Sequence, residues 1–134
     1  MNSIYEHMSS PVLFIGSELK AKDGIAKMLK NNISSLLVKK NGKYVGILTK
    51  TDWVDMVIKE VCDPNTVKVS ETMVNPIIKI DMNETMAKAS SLFEERYIRH
   101  LAVTRNDEIV GILSVKDLEK YYCQLHDKVG IAHY

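Results

Sequence analysis

A seven-residue cassette that occurs twice constrains this chain more than any other feature. Gly46-Ile47-Leu48-Thr49-Lys50-Thr51-Asp52 returns as Gly111-Ile112-Leu113-Ser114-Val115-Lys116-Asp117, 65 positions later at both ends (46 to 111, 52 to 117). The same offset pairs Met8 with Met73, Pro11 with Pro76, Ile15 with Ile80, Ile33 with Ile98, Leu36 with Leu101, Val38 with Val103 and Asn41 with Asn106. An ungapped match with prolines, glycines and acids in step is an internal repeat. A repeat of about 60 residues buries only about 60% of the surface its unfolded chain exposes, so the two copies are expected to pack on each other and share a core. The expected division is 1–62 for the first repeat with its lead-in, 63–68 for a linker, 69–125 for the second repeat and 126–134 for a polar tail.

Within the first repeat, Ile4 to Met8 is a short lead-in, and Val12-Leu13-Phe14-Ile15 is an apolar run of strand length. Ser17 and Glu18 offer a helix cap and an N-terminal acid. Ala21, Ile25, Met28, Leu29 and Asn32 then recur at helical spacing, which predicts a helix ending near Asn31. Gly24 weakens that helix by up to about 1 kcal/mol unless something packs closely on it. Ser35 to Lys39 and Tyr44 to Leu48 predict two strands joined by an Asn41-Gly42 hairpin turn. Trp53, Met56, Val57 and Val61 mark a second helix, broken by Asp63-Pro64-Asn65.

The second repeat replays the order. Ile77-Ile78-Lys79-Ile80 is the strand and Asn83 the expected cap; Met86, Ala89, Leu92, Phe93 and Tyr97 form the helix stripe. Leu101 to Arg105 and Glu108 to Leu113 make the hairpin across Asn106-Asp107, and Leu118, Tyr121, Tyr122 and Leu125 mark the last helix. Each repeat reads as β-α-β-β-α, an α/β unit with helices covering a small mixed sheet.

Composition removes several function classes. A net charge of +1 provides no basic field for nucleic acid, and no apolar run approaches the ~18 residues of a membrane span. Met1 to Glu6 lacks the basic and apolar regions of a secretory leader. Cys62 and Cys123 are too few for a disulfide framework or a metal cluster and are expected as reduced thiols in a cytoplasmic protein. His7, His100, His126 and His133 share no metal-ligand spacing. The scattered methionines read as core filler, and no glycine-rich phosphate loop, nucleophile elbow or HExxH motif occurs. No cofactor and no enzymatic activity are expected.

The cassette itself supports two compatible readings. Thr49 or Ser114 at an N-cap, with Asp52 or Asp117 three residues on, is a short-acid capping box. The same strand-to-helix junction leaves backbone N–H groups free for an anion such as phosphate. An ionised aspartate one turn in can accept hydrogen bonds from vicinal hydroxyls, as carboxylates do on ribose.

Asn75-Pro76-Ile77-Ile78, Thr85 through Ala89, Ile98-Arg99-His100-Leu101-Ala102-Val103 and Gly111 to Asp117 together resemble a CBS domain. Ser10-Pro11-Val12-Leu13, Ile33 to Val38 and Gly46 to Asp52 resemble a second one, so that the chain from about Ile4 to Leu125 is similar to a tandem CBS pair, or Bateman module. The resemblance implies pseudo-symmetric repeats packed through their sheets, with two clefts between them for adenosine-containing ligands: AMP, ADP, ATP or an S-adenosylmethionine-like compound. By that likeness Thr49, Thr51 and Asp52 line one cleft with Asp52 on ribose, and Ser114, Lys116 and Asp117 line the other. Val12-Leu13 and Ile77-Ile78 would sandwich adenine, and Arg99 and His100 match positions that often bind phosphate. Without the likeness, Arg99 and His100 read equally as a solvated strand edge.

The chain departs from the family pattern at Leu37 and Ala102, where a proline is usual, and in having Ser34-Ser35 where the second repeat has Arg99-His100. That lopsided basic character argues against polyphosphate binding at both clefts. The expectation is a non-catalytic regulatory module that senses an adenosine-containing ligand, forms a homodimer and signals to a protein target. A ligand-free dimerisation scaffold is the alternative, and a small nucleotide-acting enzyme is a third reading. Apolar surface on the helices, including Trp53, Met56 and Tyr121, is the sequence argument for the dimer.

Overall fold

Two half-chains that each borrow a segment from the other repeat make up the molecule, seen here in a computed structural model that describes residues 3–59 and 63–128. Val61, Cys62, His133 and the tail after Lys128 lie outside the described residues. One unit is Leu13–Ile77; the other joins Met1–Val12 to Ile78–Tyr134. These compact units are a different partition from the sequence repeats, because each repeat's lead-in belongs with the body of the other repeat.

The Leu13–Ile77 unit holds β1 (Phe14–Gly16), α1 (Ala21–Asn31), β2 (Ser35–Lys40), β3 (Lys43–Thr49), α2 (Lys50–Ile58) and α3 (Val69–Thr72). Its sheet has the order β1-β2-β3, with β1 parallel and β3 antiparallel to β2. The other unit opens with a 3-10 turn (Ile4–Glu6) and continues with β4 (Lys79–Asp81), α4 (Met86–Arg96), β5 (His100–Arg105), β6 (Glu108–Ser114) and α5 (Val115–Lys128). Its sheet repeats the topology as β4-β5-β6. The fold is thus α/β, with two β-α-β-β-α repeats and small mixed sheets. α5 takes in His126, Asp127 and Lys128, the first residues of the expected polar tail.

Both hairpins form at the expected residues. Asn41 and Gly42 take φ of 51° and 77°, and Asn106 and Asp107 take 50° and 66°, the left-handed pair that a two-residue turn between twisted strands needs. The first strand of each repeat begins two residues later than the apolar runs suggest. The Leu13 and Ile78 carbonyls still accept from Leu37 N–H of β2 and Ala102 N–H of β5 (both 3.0 Å), but Val12 and Ile77 stand outside the ladder.

Two expected caps are replaced, for a physical reason. Ser17 is buried before α1, its N–H on Lys39 O (2.9 Å), while α1 starts at Ala21. The linker caps that helix: Val67 O and Pro64 O accept the N–H groups of Ala21 (2.9 Å) and Lys22 (3.1 Å), and Asp23 accepts from Lys20 N–H (3.3 Å). Backbone carbonyls satisfy the orphan donors, so no hydroxyl is required at the cap. In the second repeat Thr85, two residues past Asn83, is the cap and accepts from Lys88 N–H at 3.1 Å. Asn83 instead donates its N–H to Asp81. The exposed ion pair between Lys68 and Glu18 (2.9 Å) fastens the linker's end to the β1–α1 loop. The hydrogen bond and charge of Lys68 hold the Glu18 carboxyl below its usual range, and Glu18 holds Lys68 above its own.

Each unit has its own core. Ile15, Met28, Leu36, Val38, Leu48 and Val69 form one; Ile4, Ile80, Met86, Ala89, Phe93, Leu101, Val103 and Leu113 form the other. Val69 and Ile4 come from the borrowed lead-ins and are fully buried. The stripes run one residue too far: Leu29 is 64% exposed, and Tyr97 is 93% exposed at the left-handed end of α4, the position Asn32 holds in the first repeat. Gly24 has its reason, since a Cβ there would lie 2.5 Å from a Leu48 methyl.

The borrowed segments also bind the sheet edges. Val74 and Ile47 exchange two backbone hydrogen bonds (2.9 and 3.0 Å), and Ser9 and Ile112 exchange the equivalent pair (2.9 and 3.0 Å). The cassette glycines admit this approach. A Cβ on Gly46 would lie 2.6 Å from Met73 Sδ and 2.9 Å from Val74 O; on Gly111, 2.5 Å from Met8 Sδ and 2.9 Å from Ser9 O. Methionine can yield, but the carbonyls are fixed by their own hydrogen bonds. Gly46→Ala and Gly111→Ala are each expected to destabilise the protein by roughly 1–3 kcal/mol, as overpacking does, read as a lower urea midpoint. A midpoint unchanged in either variant would mean that the lead-in does not press on that edge.

Candidate functional site

At both cassettes a strand hands its last residue to a helix as the cap. In the Leu13–Ile77 unit, Thr49 Oγ1 accepts from Asp52 N–H (3.1 Å) and donates to Asp52 Oδ2 (2.7 Å). In the other unit, Ser114 Oγ accepts from Asp117 N–H (3.3 Å) and donates to Asp117 Oδ2 (3.1 Å), which also accepts from Ser114 N–H (2.8 Å). The cap geometry read from the spacing is therefore present twice, and fully reciprocal in the second copy.

The anion reading is narrowed. Of the first three N–H groups of α2, Lys50 donates to Ser34 O (2.9 Å) and Asp52 to the Thr49 hydroxyl. In α5, Val115 donates to Arg99 O (3.0 Å) and Asp117 to the Ser114 hydroxyl. Only the second N–H, of Thr51 or Lys116, lacks a partner among the described residues. One N–H is a thin cradle for a phosphate, so phosphate affinity at either cassette has to come from side chains. The Ser34 and Arg99 carbonyls were invisible to sequence reasoning, since a backbone acceptor carries no residue-type signal.

One oxygen of each aspartate stays open. Asp52 and Asp117 are half-buried and bonded through Oδ2; Oδ1 accepts nothing among the described residues. Each cassette therefore keeps an unused carboxylate acceptor and an unused N–H donor in the first turn of its helix, and Thr51 and Lys116 add exposed side chains one residue before the aspartate.

The remaining candidates divide between the units. Leu13 and Ile77 share a unit with Thr49, Thr51 and Asp52; Val12, Ile78, Arg99 and His100 share the other with Ser114, Lys116 and Asp117. The four apolar residues are half-buried, with Leu13 and Ile78 packed on their own unit's core. His100 is half-buried directly opposite Ser114 in the β5–β6 register. Arg99 is exposed, with its carbonyl on the cap of α5 and its guanidinium unpartnered among the described residues. Ser35 faces Thr49 in the equivalent register of the first repeat. His7 stands with its ring 5.0 Å from that of Tyr121 on α5. Among the described residues no group of three or more His, Cys, Asp and Glu side chains is placed to hold a metal, and no helix is long and apolar enough to cross a membrane.

Several known proteins are similar to this chain. CBSX3, a mitochondrial CBS domain-containing protein of Arabidopsis thaliana, is 25% identical over 109 residues, 78% of this chain and 53% of that protein. The chain therefore spans about half the length of this relative. The crystal structure of CBS domain NE2398 superposes with a TM-score of 0.79 at 29% identity, covering 92% of this chain and 99% of that one. The CBS domain pair of MJ0100, solved in complex with 5′-methylthioadenosine and S-adenosyl-L-methionine, shares the fold at 20% identity and a TM-score of 0.79, covering 92% and 97%. The family model for the CBS domain matches residues 3–59 and again 68–123. With both repeats matched, the chain belongs to the CBS domain family.

Proposed function

We propose that this chain is a non-catalytic, cytoplasmic regulatory module that binds an adenosine-containing small molecule at its cassettes, associates with itself and relays occupancy to a protein target. AMP, ADP, ATP and S-adenosylmethionine-like compounds are the candidate ligands. The observation that carries the reading is the open Oδ1 of Asp52 and of Asp117, each carboxylate held by its own cap and each one residue after an unpartnered N–H. A carboxylate fixed by one oxygen and open at the other is preorganised for vicinal hydroxyls, and so needs little ordering on binding. Thr51 and Lys116 flank the ribose position, and Val12, Leu13, Ile77 and Ile78 supply apolar and backbone surface for the base. Arg99 and His100 give the second cassette a basic side for phosphate that Ser34 and Ser35 do not provide in the first. The adenosyl ligands of the MJ0100 pair are of the class proposed. The free, exposed Cys123 suits a reducing compartment.

Capping and binding separate by mutation. Asp52→Asn and Asp117→Asn keep an acceptor for the cap and lose only a dipole contribution of about 0.3–1 kcal/mol. Charge-assisted bonds to ribose are lost outright. Each variant is expected to melt near wild type alone and to lose most of the stabilisation by ligand, which for a single site at one hundred times Kd is about 2.7 kcal/mol. A thermal-shift panel of AMP, ADP, ATP, S-adenosylmethionine and methylthioadenosine checks this. Apo proteins that melt far lower, with ligand shifts intact, would make the aspartates caps alone.

Arg99 has a test of its own. Arg99→Ala should weaken AMP and leave adenosine unchanged, with a loss at or below the low end of the roughly 1.5–3 kcal/mol of a charged hydrogen bond, because the side chain is exposed. Equal losses for the two ligands in calorimetry would return Arg99 to a solvated edge.

A second reading, a dimerisation scaffold with no physiological ligand, draws on α2. Trp53 and Met56 are covered within their own unit, Trp53 Nε1 donating to Ala21 O (3.1 Å), and Tyr121 packs on its unit's core. The apolar surface lies elsewhere: Val54, Val57 and Ile58 are 43%, 38% and 73% exposed at helical spacing on one face. Self-association through that face is common to both readings. Ile58→Glu should shift sedimentation toward monomer without lowering the melting temperature of the monomer; a wild type that sediments as a monomer removes the face from either reading.

A further inference from the structure

Far along β3 from its cassette, the first repeat carries a basic and aromatic cluster that the second repeat lacks. Lys39 Nζ lies 4.5 Å from the centroid of the Phe14 ring and 5.1 Å from that of Tyr44, and Lys27 Nζ lies 5.4 Å from Phe14. The two rings meet edge to face at 6.4 Å. Phe14 is 43% exposed, and the adjoining turn adds the exposed Lys40 and Lys43. Lys27, Lys39 and Lys43 have no carboxylate within ion-pair distance among the described residues, and Glu18 is held by Lys68. At the matching positions the second repeat has Lys79, Leu92, Thr104 and Ile109, and its turn carries Asp107 and Glu108.

The backbone beside the cluster offers donors only. β1 is the edge strand of its sheet. Its bonds to β2 run through Leu13 O, accepting from Leu37 N–H, and Ser17 N–H, donating to Lys39 O, so the alternate residues Phe14 and Gly16 turn their backbone groups outward. Phe14 O is taken by Lys27 Nζ, and Gly16 O by Leu19 N–H (3.3 Å). The N–H groups of Phe14 and Gly16 remain. An incoming strand needs alternating donors and acceptors, so ordinary strand addition is blocked here. Isolated anionic groups meet no such obstacle. Tyr44 and Thr49 are five positions apart along β3, about 16 Å at strand rise, which sets this surface apart from the cassette.

We propose that the β1 edge with Phe14, Lys27, Lys39, Lys43 and Tyr44 is a docking surface for an acidic, aromatic-bearing segment of a protein partner, whose carboxylates meet the lysines and the outward N–H groups and whose ring packs on Phe14. Charge complementarity selects this occupant. The patch is locally basic on a chain of net charge +1, which is too little positive field for nucleic acid or an anionic bilayer. The surface stands whether or not the cassettes bind a nucleotide.

Fluorescence anisotropy of a labelled peptide of alternating Glu and Tyr, titrated with the full chain at low salt, tests it. Saturable binding is expected, weakened at least tenfold in Lys27→Gln/Lys39→Gln and several-fold in Phe14→Leu, and unchanged in Lys88→Gln on α4. Wild-type-like melting in each variant certifies the fold. A Gln-Tyr peptide of the same length should not bind. No binding of the acidic peptide, binding indifferent to Lys27 and Lys39, or tighter binding to oligouridylate would each overturn the proposal. Nucleotide-induced thermal shifts that survive in Lys27→Gln/Lys39→Gln would show that the two surfaces are independent; their loss would overturn that separation.

Discussion

In each unit a borrowed segment laid against a glycine at the sheet edge is the constraint on which the rest depends. Val74 against Ile47 and Ser9 against Ile112 close the edges of β3 and β6, with Met73 and Met8 over Gly46 and Gly111. An unpaired edge strand invites pairing with other chains; here the other repeat's lead-in occupies it. Val69 and Ile4 follow the same segments into the two cores. The cassette's leading glycine is therefore a packing residue, and its hydroxyl and aspartate begin three residues later, where the strand leaves that contact and becomes the cap of a helix.

This arrangement explains why the cassette supports both a structural and a ligand-binding reading. The cap needs a hydroxyl on the third N–H and a carboxylate to accept from that hydroxyl. It uses one carboxylate oxygen and leaves the other without a partner among the described residues. The first N–H of each helix is taken by a carbonyl from the preceding strand's entry, Ser34 or Arg99. What remains suits a pair of hydroxyls better than a phosphate, so in the proposed function phosphate recognition falls to side chains, in which the two repeats differ. The order of events along seven residues (close approach, core, cap, open oxygen) is the same in both copies, because moving any one of them displaces the next.

Much of the fold was legible because its signals are local. The 65-residue offset, the two-residue turns at Asn41-Gly42 and Asn106-Asp107, and the end of α1 near Asn31 all follow from residue types acting over a few positions. The misses arise where distant backbone does the work. Lys20 caps α1 in place of Ser17 because the linker's carbonyls satisfy the helix donors. Tyr97 ends α4 exposed in a left-handed conformation, a place where asparagine is the readable residue and tyrosine is not. Leu29 continues an apolar period on a face that meets solvent. Of the candidate site, the hydroxyl–aspartate pairs were legible from spacing. The open Oδ1 and the occupied first N–H were not, since both depend on where the strand before the hairpin runs. The roles of Val12, Leu13, Ile77 and Ile78 came from family likeness alone.

The two repeats hold their cassettes in common and differ at the opposite end of the sheet, and the packing accounts for that pattern. At the cassette end most positions serve a neighbour: glycine the lead-in, aliphatics the core, hydroxyl and acid the helix. A substitution there disturbs several contacts at once, so the two copies stay alike. At the hairpin end Phe14 is exposed and its ring lies against Lys39 and Tyr44, whereas the counterparts Lys79, Thr104 and Ile109 carry different chemistry, with Thr104 buried and donating to Ile80 O (3.3 Å). A duplicated scaffold of this kind can keep a shared ligand chemistry where its fold is most constrained and acquire a private surface where it is least. The proposed function needs both: a place that senses the same class of small molecule in either half, and a surface on one half only that a partner can tell from the other.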